Sequence, residues 1–354
     1  MEIISKIAVR KVIHSGIREV DFENLEFGKY VADHMLVADY SDGEWGVPAI
    51  VPYADISLSP ATLALHYGQT VFEGMKAFKM SDGGVNIFRI EKHQERFTRS
   101  LGRMCMPAVP EELFVEGMAQ LIQIDKEWVP EKEGSALYIR PFMFATEAKM
   151  GVKVSDSYRF LIFTGPVPTL YSEPIRVKVE TEYIRAARGG TGFAKCGGNY
   201  GGAFYPTQKA KELGYDQVLW TGGKDNRFIE ESGMMNTMFV IDGTLITAPL
   251  SDTILDGVTR DSLLTLANDL GIPTEERSVS IDELRKAFIN RNITEAFGAG
   301  TAAVVAPIQT IGIEGIDYHL PVYNDTSVLN ILKGQLERIR TGQQEDTHKW
   351  NFIV

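Results

Sequence analysis

Hydrophobic and polar positions along this chain fall into short runs whose period shifts between about two and about three and a half residues, the signatures of strands and helices. Residues 31–65 hold brief apolar pieces punctuated by Asp42-Gly43, Pro48, Pro52 and Pro60, which predicts strands and turns. Residues 66–72 enter a helix or tight turn. Beyond them, Met75-Lys76-Ala77-Phe78 and residues 85–88 flank Asp82-Gly83-Gly84, a hairpin signal, with Phe72-Glu73-Gly74 read as core and turn. Over 91–104, Glu91, Lys92, Glu95, Arg96, Arg99 and Arg103 alternate with apolar residues, which predicts an exposed amphipathic helix and a solvated Arg96. Leu113, Phe114, Met118, Leu121, Ile122 and Trp128 give a second helical period across 111–129, ahead of Pro130, and strands follow at 136–144 and 158–164.

Three prolines and no periodicity mark the stretch GPVPTLYSEP, residues 165–174, as a linker. The expected division is therefore 1–165, a linker at 166–174, and 175–354. In the second part, 203–213 is helical with Gly214 as its stop, and 216–220 is a short strand. Residues 228–241, FIEESGMMNTMFVI, have strand-like ends around Glu230 and Glu231. Adjacent acids in an apolar segment are costly to bury without a charged partner, so the choice lies between a paired carboxylate and a solvated surface bulge. A helix begins near Val258-Thr259, with Thr259 as its cap or just before it, and stops at Gly271. Residues 297–307, FGAGTAAVVAP, form a further glycine turn carrying Thr301.

Composition narrows the classes of function. In 354 residues, 44% are hydrophobic, enough for large cores, and the formal net charge is −11, which disfavours nucleic acid and anionic membranes. No stretch approaches the length of a membrane span, and the N-terminal residues, with Glu2, Glu19, Asp21, Glu23 and Glu26, resemble neither a secretory nor a transit peptide. The two cysteines, Cys105 and Cys196, suit neither a disulfide framework nor a metal site, and the expected compartment is the cytoplasm.

Chemistry concentrates at 185–202, RAARGGTGFAKCGGNYGG, where one lysine, Lys195, sits among seven glycines and Tyr200 follows five residues later. Such glycine density marks backbone that turns sharply or lets something approach closely; a flexible loop is the plainer alternative. The P-loop, the dinucleotide fingerprint, zinc motifs and the nucleophile elbow all fail against the sequence. What remains is a lysine, a tyrosine, an acid in an apolar segment and two turns able to cradle an anion. Pyridoxal phosphate calls for that inventory.

With the segments LHYGQTVFEGMKAF, FRIEKHQER, YIRPF, GGTGFAKCGGNYGG, DQVLW, EESGMMN, LDGVTRDSLL and FGAGTAAVVAP in one order, the chain resembles the branched-chain amino acid aminotransferases. The resemblance implies a mixed α/β, α+β fold of type IV: a smaller N-terminal domain and a larger C-terminal domain with a barrel-like β core flanked by helices. It implies that Lys195 binds pyridoxal 5'-phosphate covalently and moves a proton, that Glu231 faces the ring nitrogen, and that Tyr200, supported by Arg185, bonds the ring oxygen. Arg96, the backbone at Val258 and Thr259, and Thr301 would hold the phosphate. Tyr67, Phe72, Tyr138, Arg140, Val152, Met234 and Ala302 fall on substrate positions.

The implied reaction is reversible transamination of L-leucine, L-isoleucine and L-valine with 2-oxoglutarate. A D-amino acid transaminase or aminodeoxychorismate lyase of the same fold is the alternative. A homodimer is implied, with Tyr67 and Val152 reaching the partner's site. Ala303 and Ala306 stand where some relatives carry a redox Cys-x-x-Cys pair, which excludes a thiol switch there, and Cys196 is expected to be a packing residue.

Overall fold

The structure is a computed structural model that describes residues 7–171 and 173–354; Ser172, inside the expected linker, lies outside the described residues. Its contacts define two compact units. The first gathers the chain up to Leu170 together with Ala194–Gly198 and Ile339–Val354, and the second holds Tyr171–Phe193 and Asn199–Arg338. Two segments expected with the C-terminal part, the lysine segment and the C-terminal residues, thus belong to the first unit.

The first unit is built on the strands β1 (Ala8–Val9), β2 (His34–Ser41), β3 (Glu44–Trp45), β4 (Ala49–Pro52), β5 (Thr70–Phe72), β6 (Met75–Lys79), β7 (Val85–Phe88), β8 (Ala136–Ala145) and β9 (Tyr158–Val167). Their order is β1-β4-β2-β9-β8-β6-β7, with β5 beside β8 and the C-terminal strand Asn351–Ile353 closing the β7 edge. The long pair β8–β9 runs in register from Ala136↔Val167 to Ala145↔Tyr158. β9 therefore continues two residues into the expected linker. Gly165 allows it, because a Cβ there would strike the carbonyl oxygen of Tyr30.

Three helices accompany this sheet: α1 (Leu63–Tyr67), α2 (Ile90–Arg103) and α3 (Glu111–Ile124). α1 ends on Gly68 at φ 64°, the left-handed cap that glycine adopts without strain, and the chain turns directly into β5. The Phe97, Phe114 and Phe160 rings meet at 5.5–6.1 Å between centroids, one from each of α2, α3 and β9. Each such ring buried stabilises the fold by about 1.5–3 kcal/mol. α3 stops at Ile124 rather than Val129, because the Asp125 carboxylate is committed to His34: Oδ2 accepts its backbone N–H at 3.1 Å and Oδ1 lies 2.6 Å from Nδ1. The chain then tightens into a 3-10 turn at Lys126–Trp128.

In α2 the buried face comprises Ile90, His93, Arg96, Phe97, Ser100 and Leu101, so polar and charged residues share the apolar stripe. The expectation of a solvated Arg96 fails: it is 4% exposed. Helical spacing alone set it on the polar side because its partner, Glu73, is supplied by another element.

The second unit contains β10 (Ile175–Glu180), β11 (Gln217–Gly222), β12 (Phe228–Ser232), β13 (Met235–Ile241), β14 (Thr244–Thr247), β15 (Thr274–Glu276), β16 (Val279–Ser280), β17 (Ile293–Gly300), β18 (Val304–Ile313) and β19 (Ile316–His319). Pairing proceeds β13-β17-β18-β10-β11-β12 and returns to β13, closing a barrel. β10 is parallel to both neighbours, and the other pairs around the ring are antiparallel. Helices α4 (Gly198–Gly201), α5 (Phe204–Glu212), α6 (Val258–Asp269), α7 (Ile281–Asn290) and α8 (Val328–Arg340) complete the order of elements. The mixed α/β architecture with a β-barrel core, implied by the resemblance, is the one observed.

α6 begins differently from expectation. Gly257 occupies its N-cap, no side chain caps it, and Thr259 is the second residue inside the helix.

Candidate active site

In the first unit, the chain around Lys195 runs antiparallel to β5 as a single bridge rather than a full strand. The Phe72 N–H donates to the Lys195 carbonyl at 3.0 Å, the Gly197 N–H donates to the Thr70 carbonyl at 3.2 Å, and Cys196 pairs with Val71 while its side chain lies in the core. Gly197 has no room for a Cβ, which would meet Thr70 Oγ1. The Lys195 N–H donates to Ser100 Oγ at 2.9 Å, and that hydroxyl donates to the Arg96 carbonyl at 2.9 Å. One serine of α2 thus joins the lysine to the arginine one turn before it.

The Lys195 Nζ lies 4.9 Å from the centroid of the Phe72 ring. The Arg140 guanidinium carbon lies 4.8 Å from the same ring and 5.2 Å from that of Tyr138, whose hydroxyl accepts from Arg140 Nη2 at 3.1 Å. These are cation–π distances. Gly74 is required beside this pair, since a Cβ would overlap the Tyr138 hydroxyl. Phe72, Arg140, Phe142, Leu161 and Gly197 line a cavity of about 450 Å³, and Arg140 also borders a hollow of about 180 Å³ with Tyr138 and Phe27. Phe27, which packs edge-on against Tyr138 at 5.3 Å, escaped the sequence reading, since it lies in a loop with no periodic signal.

Beneath Arg96 lies a cluster that the sequence reading also missed. Glu73 is wholly buried; its Oε1 accepts from Arg96 Nε at 2.7 Å, and its Oε2 accepts from Arg96 Nη2 at 2.8 Å and lies 2.9 Å from His93 Nδ1. Burial pushes the Glu73 carboxyl up, but the Arg96 charge and the hydrogen bonds from Arg96 and His93 together hold it well below the ordinary carboxylate range. Burial pushes His93 down, against the pull of Glu73. The available signal was an acid in an apolar run, with His93 and Arg96 three apart on one helix face.

Tyr67 and Val152 lie apart from this group, on an exposed ridge. The Gly151 N–H donates to the Tyr67 hydroxyl at 3.2 Å, and Met150 and Val152 are 92% and 83% exposed.

In the second unit, Glu231 is buried on β12 and its Oε2 lies 2.8 Å from Arg185 Nε. Its Oε1 accepts from the Leu255 N–H at 2.8 Å and from Asn236 Nδ2 at 3.2 Å. Asn236, directly opposite Glu231 in the β12–β13 register, also donates to the Leu255 carbonyl at 2.9 Å, tying the acid to the approach of α6. Its signal was the asparagine that ends the EESGMMN segment.

Arg185 Nη2 further donates to the carbonyls of Gly192 at 3.1 Å and Thr253 at 2.5 Å, so the arginine clamps the glycine run to the Glu231 side. A register shift does interrupt the β11–β12 pairing, but the solvated bulge is not what forms. Glu230 is half-buried and accepts from the Thr253 hydroxyl at 2.7 Å; burial pushes its carboxyl up, beyond the opposing effects of that bond and of Arg185.

Gly192 sits where a Cβ would press on the Thr253 backbone at 2.7 Å, and Thr191 and Asn199 bond each other across the run through Thr191 Oγ1 at 2.7 Å. Tyr200 is half-buried on α4; Thr301 and Ala302, also half-buried, form the turn from β17 to β18; Met234 is exposed at the β12–β13 turn. Val258 and Thr259 open α6, whose first turn lacks a side-chain cap and so offers backbone amides to an anion. Among the described residues, no cluster of His, Cys, Asp and Glu could hold a metal ion, and no helix is long and apolar enough to cross a membrane.

Each unit by itself carries groups of the kinds pyridoxal 5'-phosphate takes: a primary amine and a buried guanidinium in the first, a buried carboxylate and an uncapped helix start in the second. Comparison with known proteins agrees. The family model described as amino-transferase class IV matches residues 70–311. The branched-chain-amino-acid transaminase 1 of Bacillus subtilis (strain 168) is 47% identical over 300 residues, covering 83% of this chain and 84% of that protein. Among solved structures, the branched-chain amino acid aminotransferase of Escherichia coli superposes with a TM-score of 0.72 at 27% identity, over 90% of this chain and 98% of its own. The branched-chain aminotransferase of the thermophilic archaeon Thermoproteus uzoniensis, solved with norvaline, gives 0.73 at 26% identity, over 90% and 99%. A further branched-chain amino acid aminotransferase, solved with pyridoxamine 5'-phosphate, gives 0.74 at 25% identity, over 90% and 97%. The chain belongs to the class IV aminotransferases and, within them, to the branched-chain amino acid aminotransferase family.

Proposed function

We propose that this protein transfers the amino group of L-leucine, L-isoleucine or L-valine reversibly to 2-oxoglutarate, with pyridoxal 5'-phosphate as cofactor. The observation that carries the substrate reading is Arg140. It is a half-buried cation with no carboxylate partner among the described residues, set against the Phe72 and Tyr138 rings at a cavity with apolar walls. Such a surface accepts an aliphatic side chain against the rings, and the second carboxylate of glutamate at the guanidinium and the Tyr138 hydroxyl. Phe72, Met234 and Ala302, with Tyr67 and Val152 reaching the partner's site, complete the substrate set. The names of the relatives support the same class of substrate.

Pyridoxal 5'-phosphate supplies an aldehyde for the amino group and a ring that draws electrons from the carbon bearing it. Lys195 Nζ anchors the cofactor at rest and moves the proton at the substrate Cα. The Glu231 carboxylate, oriented by Arg185, Asn236 and the Leu255 amide, holds a proton on the ring nitrogen. Tyr200 donates to the ring oxygen. Arg96, the amides at Val258 and Thr259, and the Thr301 hydroxyl bind the phosphate. The relative solved with pyridoxamine 5'-phosphate supports the choice of cofactor.

The domain reading is a smaller N-terminal domain over 1–165, a linker at 166–174 and a larger cofactor-binding domain over 175–354, with the contacts grouping Ala194–Gly198 and Ile339–Val354 with the first unit. The protein works as a homodimer, supported by the exposed apolar ridge of Leu65, Tyr67, Met150 and Val152. A cytoplasmic location accords with Cys105 and Cys196 both being free thiols.

Two measurements test the function. Borohydride reduction of the cofactor-loaded protein is expected to label the peptide containing Lys195. A substrate panel with 2-oxoglutarate is expected to favour the three branched L-amino acids. Label on another lysine overturns the anchor, and preference for D-alanine overturns the substrate class.

A further inference from the structure

Glu73 touches none of the reacting groups assigned above, yet it is wholly buried. A carboxylate in a core is costly unless its charge and lone pairs are matched, and here the match is specific. Arg96 engages it at two points, Nε at 2.7 Å and Nη2 at 2.8 Å, a fork that fixes the plane of the guanidinium where a single contact would leave it to swivel. His93, one turn earlier on α2, occupies the Oε2 oxygen at 2.9 Å, and the Gly74 N–H donates to the same oxygen at 3.1 Å. Ser100, one turn later, ties the Arg96 carbonyl to the Lys195 amide. The acid, the guanidinium and the backbone of the lysine therefore share one frame within the first unit.

We propose that Glu73 is a positioning residue for cofactor binding: it locks the Arg96 guanidinium in the orientation that receives a phosphate monoester, with His93 steadying the carboxylate. The inference rests on the reading of Arg96 as a phosphate ligand. Two effects of Glu73 oppose each other. Its charge neutralises Arg96 and weakens attraction for a dianion, whereas its fork aligns the donors. The lock requires alignment to dominate, which sets the sign of the test.

The test titrates the full chain, freed of cofactor, with pyridoxal 5'-phosphate and separately with pyridoxal, which lacks the phosphate, reading absorbance and tryptophan fluorescence. E73D keeps the charge and withdraws the carboxylate by one methylene; E73Q removes the charge. Each is expected to weaken binding of the phosphorylated ligand by roughly 10-fold and to leave pyridoxal binding unchanged. R96Q is expected to erase the preference for the phosphorylated ligand, and adding E73D to it to change nothing further.

Unchanged or tighter binding of the phosphorylated ligand by E73D and E73Q overturns the lock. So does an equal loss for both ligands, which marks a packing role only. If R96Q, with Glu73 intact, keeps the preference, the phosphate reading of Arg96 falls and the lock falls with it. Should E73Q not fold, H93Q carries the same comparison: it leaves the ion pair and the Gly74 contact and removes only the imidazole's contact with Oε2, with a smaller loss expected for the phosphorylated ligand alone.

Discussion

Two neighbouring carboxylates on β12 meet opposite surroundings. Glu231 is matched by Arg185, Asn236 and the Leu255 amide, whereas Glu230 has a hydroxyl for one oxygen and a buried second oxygen without a partner among the described residues. Their substitution should therefore separate. Glu231→Gln is expected to lower kcat on the order of 100-fold or more, and Glu230→Gln to change it only severalfold, in steady-state assays with L-leucine. Equal losses would unseat Glu231 as the acid at the ring nitrogen. At this scale the sequence put Lys195, Tyr200 and Glu231 forward through segments that resemble a known family, and the structure adds that Glu231 is buried beside Arg185. Glu73 and His93 were not legible, because Glu73 acquires its meaning from partners 20 and 23 residues away, and local pattern reads an acid before a glycine as a turn. Arg96 shows the same limit, its solvated appearance depending on a neighbour that helical period does not reveal.

Among the elements, α2 and α6 make contrasting use of glycine. Gly102 lies exposed near the end of α2 with open space around its Cα, so Gly102→Ala is expected to stabilise the protein by about 0.5 kcal/mol through the lower helix propensity of glycine. Gly257 caps α6 where a Cβ would collide with Asn236 Oδ1, so Gly257→Ala is expected to cost about 1–3 kcal/mol and to loosen the support of Glu231. Urea midpoints of the two variants check the opposite signs. Helices and strands with a strong period were placed well from sequence, and the closed barrel came from the resemblance. The element ends were less legible. α3 stops where Asp125 turns to His34, and β9 runs past Gly165 because a backbone carbonyl packs there, and both causes are tertiary.

For the molecule as a whole, acid stability should report the buried Glu73. Its folded carboxyl lies below its ordinary value of 4.5, so its contribution is complete above about that pH and is lost as pH falls. Burial raises Asp125, Glu230 and Glu295, which favour the folded state as they take up protons and so act in the opposite direction. Thermal midpoints are expected to fall below about pH 4.5, and E73Q to show a shallower fall, in unfolding scans between about pH 3 and 7. An equal slope in both proteins would remove Glu73 from the account.

The threading of the chain carries a consequence for its synthesis. A ribosome releases residues in order, at about 5–20 per second. The strand edge of β7 must therefore wait through the making of the entire barrel before Asn351–Ile353 arrives to cover it. Until then the nascent first unit presents an open template for pairing with other chains, and its lysine segment also arrives late. Fusions or proteolytic nicks placed after α8 would act on the oldest part of the molecule, although they lie at the opposite end of its sequence.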